Sequence, residues 1–250
     1  MKCELWIGSH LTQKFMFRAA NKTSLDQDPD FQWRGDSVTR IENLSDIVFA
    51  LTLSLLAVAP GPPSTFGELI SAFRGAISFA FGFAILLMIW NYHYIFFRRY
   101  GLSDQRTVFL NALLLFIVLL FVYPMRFLAD FMLVLLPSLF SGDFRHVATM
   151  VGNPENGANL LIIYSFGYAA VFLIIAALYG HAASKKDVLA LDDNELRLTR
   201  RSRASAMVQA FVALIVAGVA GLTPVGPWAG PLYFLIWPAS ALVRMGAKKK

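Results

Sequence analysis

The chain's 250 residues are 57% hydrophobic and only 15% charged, with a mean hydropathy of +0.57. Soluble domains run nearer 45–50% apolar and about 25% charged. So few charges cannot clothe a soluble surface, which indicates an integral membrane protein and excludes most soluble enzyme classes. The net charge of +6 then reads as an orientation signal, not as a nucleic-acid surface. A single cysteine, Cys3, excludes an intrachain disulfide and a thiolate-rich metal site.

Residues 1–39 mix charged, amide and hydroxyl side chains with a few aromatics and hold no apolar run of signal-peptide length. They read as a loosely ordered cytoplasmic arm. A membrane helix needs roughly 20 largely apolar residues, and that ruler predicts six spans over residues 40–245. The first runs from about Ile41 to Ala59 and stops at Pro60-Gly61-Pro62-Pro63. The second covers about Gly75–Phe97, and the third runs from Thr107 to Tyr123 and meets Pro124. Phe131–Phe140 is apolar but too short to cross alone, and reads as an interfacial helix or an extension of the third span. The fourth span is Gly157–Gly180; Gly and Pro residues between 221 and 231 divide the rest into a fifth (about 204–222) and a sixth (about 228–244). Residues 246–250 form a basic tail. The fold class is therefore all-α and polytopic.

Lysine and arginine set the orientation. All 22 except Arg74, Arg126 and Arg145 fall before the first span, between the second and third, between the fourth and fifth, or after the sixth. That asymmetry puts both termini in the cytoplasm.

No phosphate-binding loop, dinucleotide fingerprint or nucleophile elbow appears, and the four histidines have no ligand-like spacing. No cofactor or metal is implied. One polar cluster remains. Asp46 lies about 8 Å along the first span, and His93 about 8 Å from the same interface on the antiparallel second span. Ser45, Asp46, Asn91 and His93 either tie the two helices together by buried hydrogen bonds or form part of an ion or proton pathway. At 100° per residue, Leu44, Val48, Leu51, Leu55 and Val58 share one stripe with Ser54 at its edge, while Asp46 projects about 140° from Leu51. The stripe suits lipid contact, helix packing or a symmetry axis. Arg40 falls about 20° from Leu51, at a pore mouth or turned back to Asp46.

Arg40-x-x-x-Leu44-Ser45-Asp46 resembles the Arg-x-x-x-Phe-Ser-Asp opening of the transmembrane protein 175 potassium-channel family. Trp90-Asn91-Tyr92-His93-Tyr94 before Arg98-Arg99 is similar to that family's Trp-x-Asn-His-His pattern, and the run from Asn111 to Pro124 resembles its third span. Leu44, Tyr92 and Tyr94 depart from the family's Phe, Asn and second His. The resemblance implies a homotetramer whose first helices line a central pore narrowed by large apolar side chains. Leu51, Ser54, Leu55 and Val58 would line it, and Arg40, Ser45, Asp46, Trp90, Asn91 and His93 would brace it. The function implied is a potassium-permeable leak-type channel in a cell membrane, the bacterial inner membrane, with lipid and monovalent cations as its other partners. Two other readings stand beside it: a proton-coupled secondary transporter using Asp46 and His93, and a non-conducting membrane scaffold.

Overall fold

A computed structural model describes residues 28, 31–35, 37–58, 61–223 and 228–246. Most of the N-terminal arm, Pro60, the break at 224–227 and the basic tail lie outside these residues, as do the side chains of Val58, Arg74 and Arg244. Among the described residues the chain is helical throughout: α1 (Arg40–Val58), α2 (Phe66–Tyr100), α3 (Gln105–Ser141), α4 (Arg145–Val151), α5 (Pro154–Ser184), α6 (Asp193–Leu222), a 3₁₀ turn (Gly230–Leu235) and α7 (Ile236–Gly246).

Several helix starts carry side chains that satisfy the first free amides. Before α1, the Glu42 amide donates to Thr39 Oγ1 (3.3 Å) and the Thr39 amide to Glu42 Oε2 (2.6 Å), a reciprocal capping box. Asp192 and Glu195 repeat the device at α6. Because of that box α6 begins about ten residues before its apolar run, earlier than the fifth predicted span. Gly101, at φ 58°, closes α2 with its amide on the Phe97 carbonyl (2.8 Å), a left-handed position that glycine adopts without penalty.

The largest departure from the predicted spans is at Pro124. Helix α3 does not stop there but runs through Pro124 and Pro137 for 37 residues, so Phe131–Phe140 extends the third span. A mid-helix proline removes one backbone donor without removing the chain's freedom to continue. Here the Pro124 carbonyl also accepts from the Tyr164 hydroxyl of α5. By length and composition, five segments can cross a membrane: Phe66–Tyr100, Gln105–Val122, Pro124–Ser141, Glu155–Ser184 and Asp193–Leu222. Helix α1, of 19 residues, carries Arg40, Glu42 and Asp46 in its first two turns, and the apolar segment Gly230–Val243 is shorter than a usual span.

Helix α3 packs on α1, α2 and α5, and α5 packs along α6 in the most extensive interface. Phe96, Phe97, Tyr100, Leu114, Phe172 and Tyr179 fill the centre, all 3% exposed or less. The start of α1, end of α2, start of α3, end of α5 and start of α6 meet at one end of the bundle. Glu42 bonds Arg98, Asp104 bonds His181 and Lys185, and the Tyr100 and Thr199 hydroxyls lie 2.8 Å apart.

Residues 31–35, drawn by sequence into the loosely ordered arm, form a strap across this end. Phe31 is 1% exposed and meets the Tyr100 ring edge-on at 5.5 Å. The amides of Arg34 and Gly35 donate to the carbonyls of Arg99 (3.3 Å) and Arg98 (3.1 Å), which the end of a helix leaves without partners. A Cβ on Gly35 would lie 2.6 Å from the Phe97 carbonyl oxygen, so only glycine permits this approach. Arg34 reaches α6, donating to Glu195 and to the Leu189 and Ala190 carbonyls.

Asp104, the cap of α3, lies outside the spans. Partial desolvation works against its ionisation, but bonds from Lys185, Thr107 and His181 outweigh it and hold its carboxyl below the usual carboxylate range. A lowered folded-state value makes the stabilisation complete above the unfolded value, about 3.9, and lost as pH falls below it. Asp104→Asn, which keeps a capping side chain, is therefore expected to melt lower than the parent at pH 7. The gap should begin to narrow as pH drops below about 4 and go on narrowing toward the lowered folded-state value. Melting curves in detergent from pH 8 to 3 check this; a gap independent of pH would contradict it.

Candidate functional site

The polar groups of α1, α2 and α3 form one buried chain. Ser45, fully buried, donates to the Ile41 carbonyl one turn back (2.8 Å) and accepts from Asn111 Nδ2 (2.8 Å). Asn111 Oδ1 faces His93 Nε2 at 3.0 Å. With the amide so oriented, Oδ1 can only accept, so His93 carries its proton on Nε2. The imidazole is 3% exposed and packed against Phe97 and Phe49. Three helices are thus joined through a single asparagine.

Asp46 and His93, expected at matching depth, do not meet. Asp46 is exposed and accepts the indole N–H of Trp90 at 2.8 Å. Trp90 stacks on Tyr94 (5.3 Å between centroids), and Tyr94 also meets Trp33 of the strap. Arg40 is exposed and forms no salt bridge among the described residues, so it does not turn back to Asp46. Asn91 Oδ1 is buried with no hydrogen-bond partner among the described residues and takes no part in the chain through Asn111. Of the expected bracing set, Ser45 and His93 are brought together, Asp46 and Trp90 form a separate pair, and Arg40 and Asn91 join neither.

Two elements escaped sequence reasoning. Asn111 was visible as the one amide in an apolar run but stood only in the family resemblance. The Glu42–Arg98 pair was hidden because Arg98 serves equally well as an interfacial charge. In the structure Arg98 donates through Nε (3.1 Å) and Nη2 to Glu42 Oε1 and through Nη1 to the Gly35 carbonyl (2.9 Å). One guanidinium therefore binds α1, α2 and the strap.

The opposite face of α1 has no partner among the described residues. Glu42, Ser45, Phe49, Thr52 and Leu56 turn inward, all 6% exposed or less. Leu44, Ile47 and Leu51 are 56%, 65% and 50% exposed, and Asn43, Ala50 and Ser54 are exposed beside them. Val48 and Leu55 are half-buried. The open face is therefore turned from the predicted stripe toward Ile47, Ala50 and Ser54, since Val48 packs against the core and Leu55 is half-buried. Ser54 Oγ donates to the Ala50 carbonyl (2.9 Å), which satisfies its proton within the helix and leaves lone pairs for whatever faces it.

The family model for the endosomal/lysosomal potassium channel TMEM175 matches residues 40–121, the segment holding α1, α2 and the span of α3 that carries Asn111. A protein of Marivirga tractuosa named "Potassium channel" is 35% identical over 231 residues, covering 88% of this chain and 92% of its own. A crystallised variant of the potassium channel MtTMEM175, solved with a nanobody–MBP fusion, superposes with a TM-score of 0.81 at 34% identity, over 89% of this chain and 99% of that one. Likeness of this degree along nearly the whole length, with the family match lying on the helices that hold the network, leads to one conclusion: the chain belongs to the TMEM175 potassium-channel family.

Proposed function

We propose that this chain is the subunit of a potassium-permeable, leak-type channel in which four copies set α1 around a common axis. The observation that carries the reading is the open face of α1. The helix's other face is closed by packing and hydrogen bonds, while Leu44, Ile47, Leu51 and Ser54 are left uncovered in a single subunit. Four such faces around an axis would place rings of Ile47, Leu51 and Ser54 along a pore, with half-buried Leu55 at its flank and position 58 one turn further out. An apolar ring gates by excluding water, and a ring of hydroxyls returns part of an ion's lost hydration. The network behind α1 is the brace: Ser45–Asn111–His93, Asp46–Trp90 and Glu42–Arg98.

In this reading the chain crosses the membrane six times, α1 as the first crossing and the segment from residue 230 onward as the last. The end gathering Arg34, Arg98, Arg99, Arg106 and Lys185 is cytoplasmic, and the protein is a multi-pass component of a cell membrane, in a bacterium the inner one. A proton-coupled carrier would need Asp46 and His93 as a relay; instead each is bonded to a different partner, one of them an amide.

Reconstituted protein should carry potassium down its gradient without a proton gradient. Leu51→Ala should widen the constriction and raise sodium flux roughly tenfold, the scale of about 1.4 kcal/mol on a barrier. Unchanged sodium-to-potassium permeability in that variant would remove Leu51 from the pore.

A further inference from the structure

Beyond the pore, a cleft of about 450 Å³ opens on the outside of the bundle where α3 begins, α5 ends and α6 passes. Its rim carries Arg106, Arg203, His181 and Ser184; Phe109 and Leu110 line it beneath. Both guanidiniums are exposed, and among the described residues neither is in a salt bridge. Arg203 is laid close against α5 at Gly180, where a Cβ would come within 3.2 Å of its Nε. Asp104, which bonds the cleft's His181, is also bonded to Lys185. His181 is 7% exposed, and its Nδ1 is buried with no hydrogen-bond partner among the described residues. Phe109 is 65% exposed immediately below this rim.

We propose that this cleft binds one anionic phospholipid, its headgroup phosphate between Arg106 and Arg203 and an acyl chain along Phe109 and Leu110. The inference rests on reading this end of the bundle as a membrane interface. Two unpaired cations above an exposed apolar wall match a lipid that is charged at one end and hydrocarbon at the other. Basic pockets between helices at the cytoplasmic surface recognise such headgroups. A soluble phosphate would satisfy the guanidiniums but would leave the apolar wall without an occupant.

Native mass spectrometry of the detergent-purified protein, titrated with phosphatidylglycerol or phosphatidylcholine, tests this. The readout depends on neither conduction nor orientation, so its failure is distinct from failure of the channel reading. The expected result is phosphatidylglycerol binding about tenfold tighter than phosphatidylcholine, a preference lost in Arg106→Gln/Arg203→Gln. It should be kept in Arg197→Gln/Arg200→Gln, which removes equal charge outside the cleft. If the first pair fails to fold, Arg106→Gln alone, at an exposed first-turn position, should weaken the preference. A preference that survives loss of the cleft arginines, equal binding of the two lipids, or displacement of the lipid by millimolar inorganic phosphate would each overturn the assignment.

Discussion

Replacing Glu42 with alanine is expected to cost the folded subunit about 3–5 kcal/mol, the range for removing one partner of a buried ion pair. The carboxylate and guanidinium side chains are 8% and 12% exposed. With Glu42 gone, Arg98 keeps its bond to the Gly35 carbonyl but holds an uncompensated charge between α1 and the strap. The Thr39 amide loses its acceptor as well, so the start of α1 frays while the charge behind it repels nothing useful and is poorly solvated. Unfolding in detergent measures the loss. Because most of that cost is the stranded charge, Glu42→Leu combined with Arg98→Met should be less damaging than Glu42→Ala alone. A loss below about 1 kcal/mol, the scale of a surface pair, would show that water reaches the pair and that α1 is not tied to α2 through it.

Asn111→Leu should be nearly as severe. The substitution leaves the Ser45 hydroxyl its helical acceptor at Ile41, so α1 itself remains satisfied. His93 is not so protected: its Nε2 proton stays buried with no acceptor, at a cost of about 1–3 kcal/mol. The lost Ser45 bond adds about 0.6 kcal/mol, the average for hydrogen bonds between membrane helices. A double-mutant cycle between Asn111 and His93 isolates the pairwise part and should give a coupling of about 1 kcal/mol. The same cycle between Asn91 and His93 should give none, since Asn91 is outside the hydrogen-bonded chain. Coupling in the second pair and not in the first would redraw the network.

How much of this could be read from the residues depends on the range of the physics involved. The long apolar helices α2, α3, α5 and α6 were legible because membrane crossing demands a local quantity, about 20 apolar residues in a row. The limit at Pro124 was not: proline's cost is local, yet α3 continues through it, with the Pro124 carbonyl bonded to Tyr164 of α5. The stripe on α1 followed from helical angle alone and came within one ridge of the open face. Its rotation toward Ile47 required knowing that Val48 packs against the core and that Leu55 is half-buried, and no spacing rule supplies that. Ser45, Asp46, Asn91 and His93 read as one cluster with Asp46 and His93 at one depth, yet it is Ser45 and His93 that are bridged, by Asn111 of a third helix. Asp46 looked like the centre of the cluster because it is the most polar group in the span. Its exposure and its bond to Trp90 place it at the rim instead. The strap was least visible, since Phe31, Arg34 and Gly35 lie in a segment whose composition resembles a solvated arm.

These features share a direction. The Glu42–Arg98 pair and the Ser45–Asn111–His93 chain both act on the inward face of α1, and the strap adds the Gly35 carbonyl to the same Arg98 guanidinium. The proposed pore uses the outward face. A helix fixed so firmly on one side can present a defined ring on the other, which a conduction path through apolar side chains requires. Bracing defects should then appear first as loss of assembly or stability, and defects at Leu51 as altered permeation in a well-folded protein.

The most direct test places a single cysteine at Leu51 in a Cys3→Ser background, so that position 51 carries the chain's one thiol. Potassium flux from liposomes is then followed before and after a charged, water-borne thiol reagent. If the open face of α1 lines the pore, modification should abolish most of the flux, and reduction of the adduct should restore it. Unchanged flux from protein shown to be fully modified at position 51 would contradict the account.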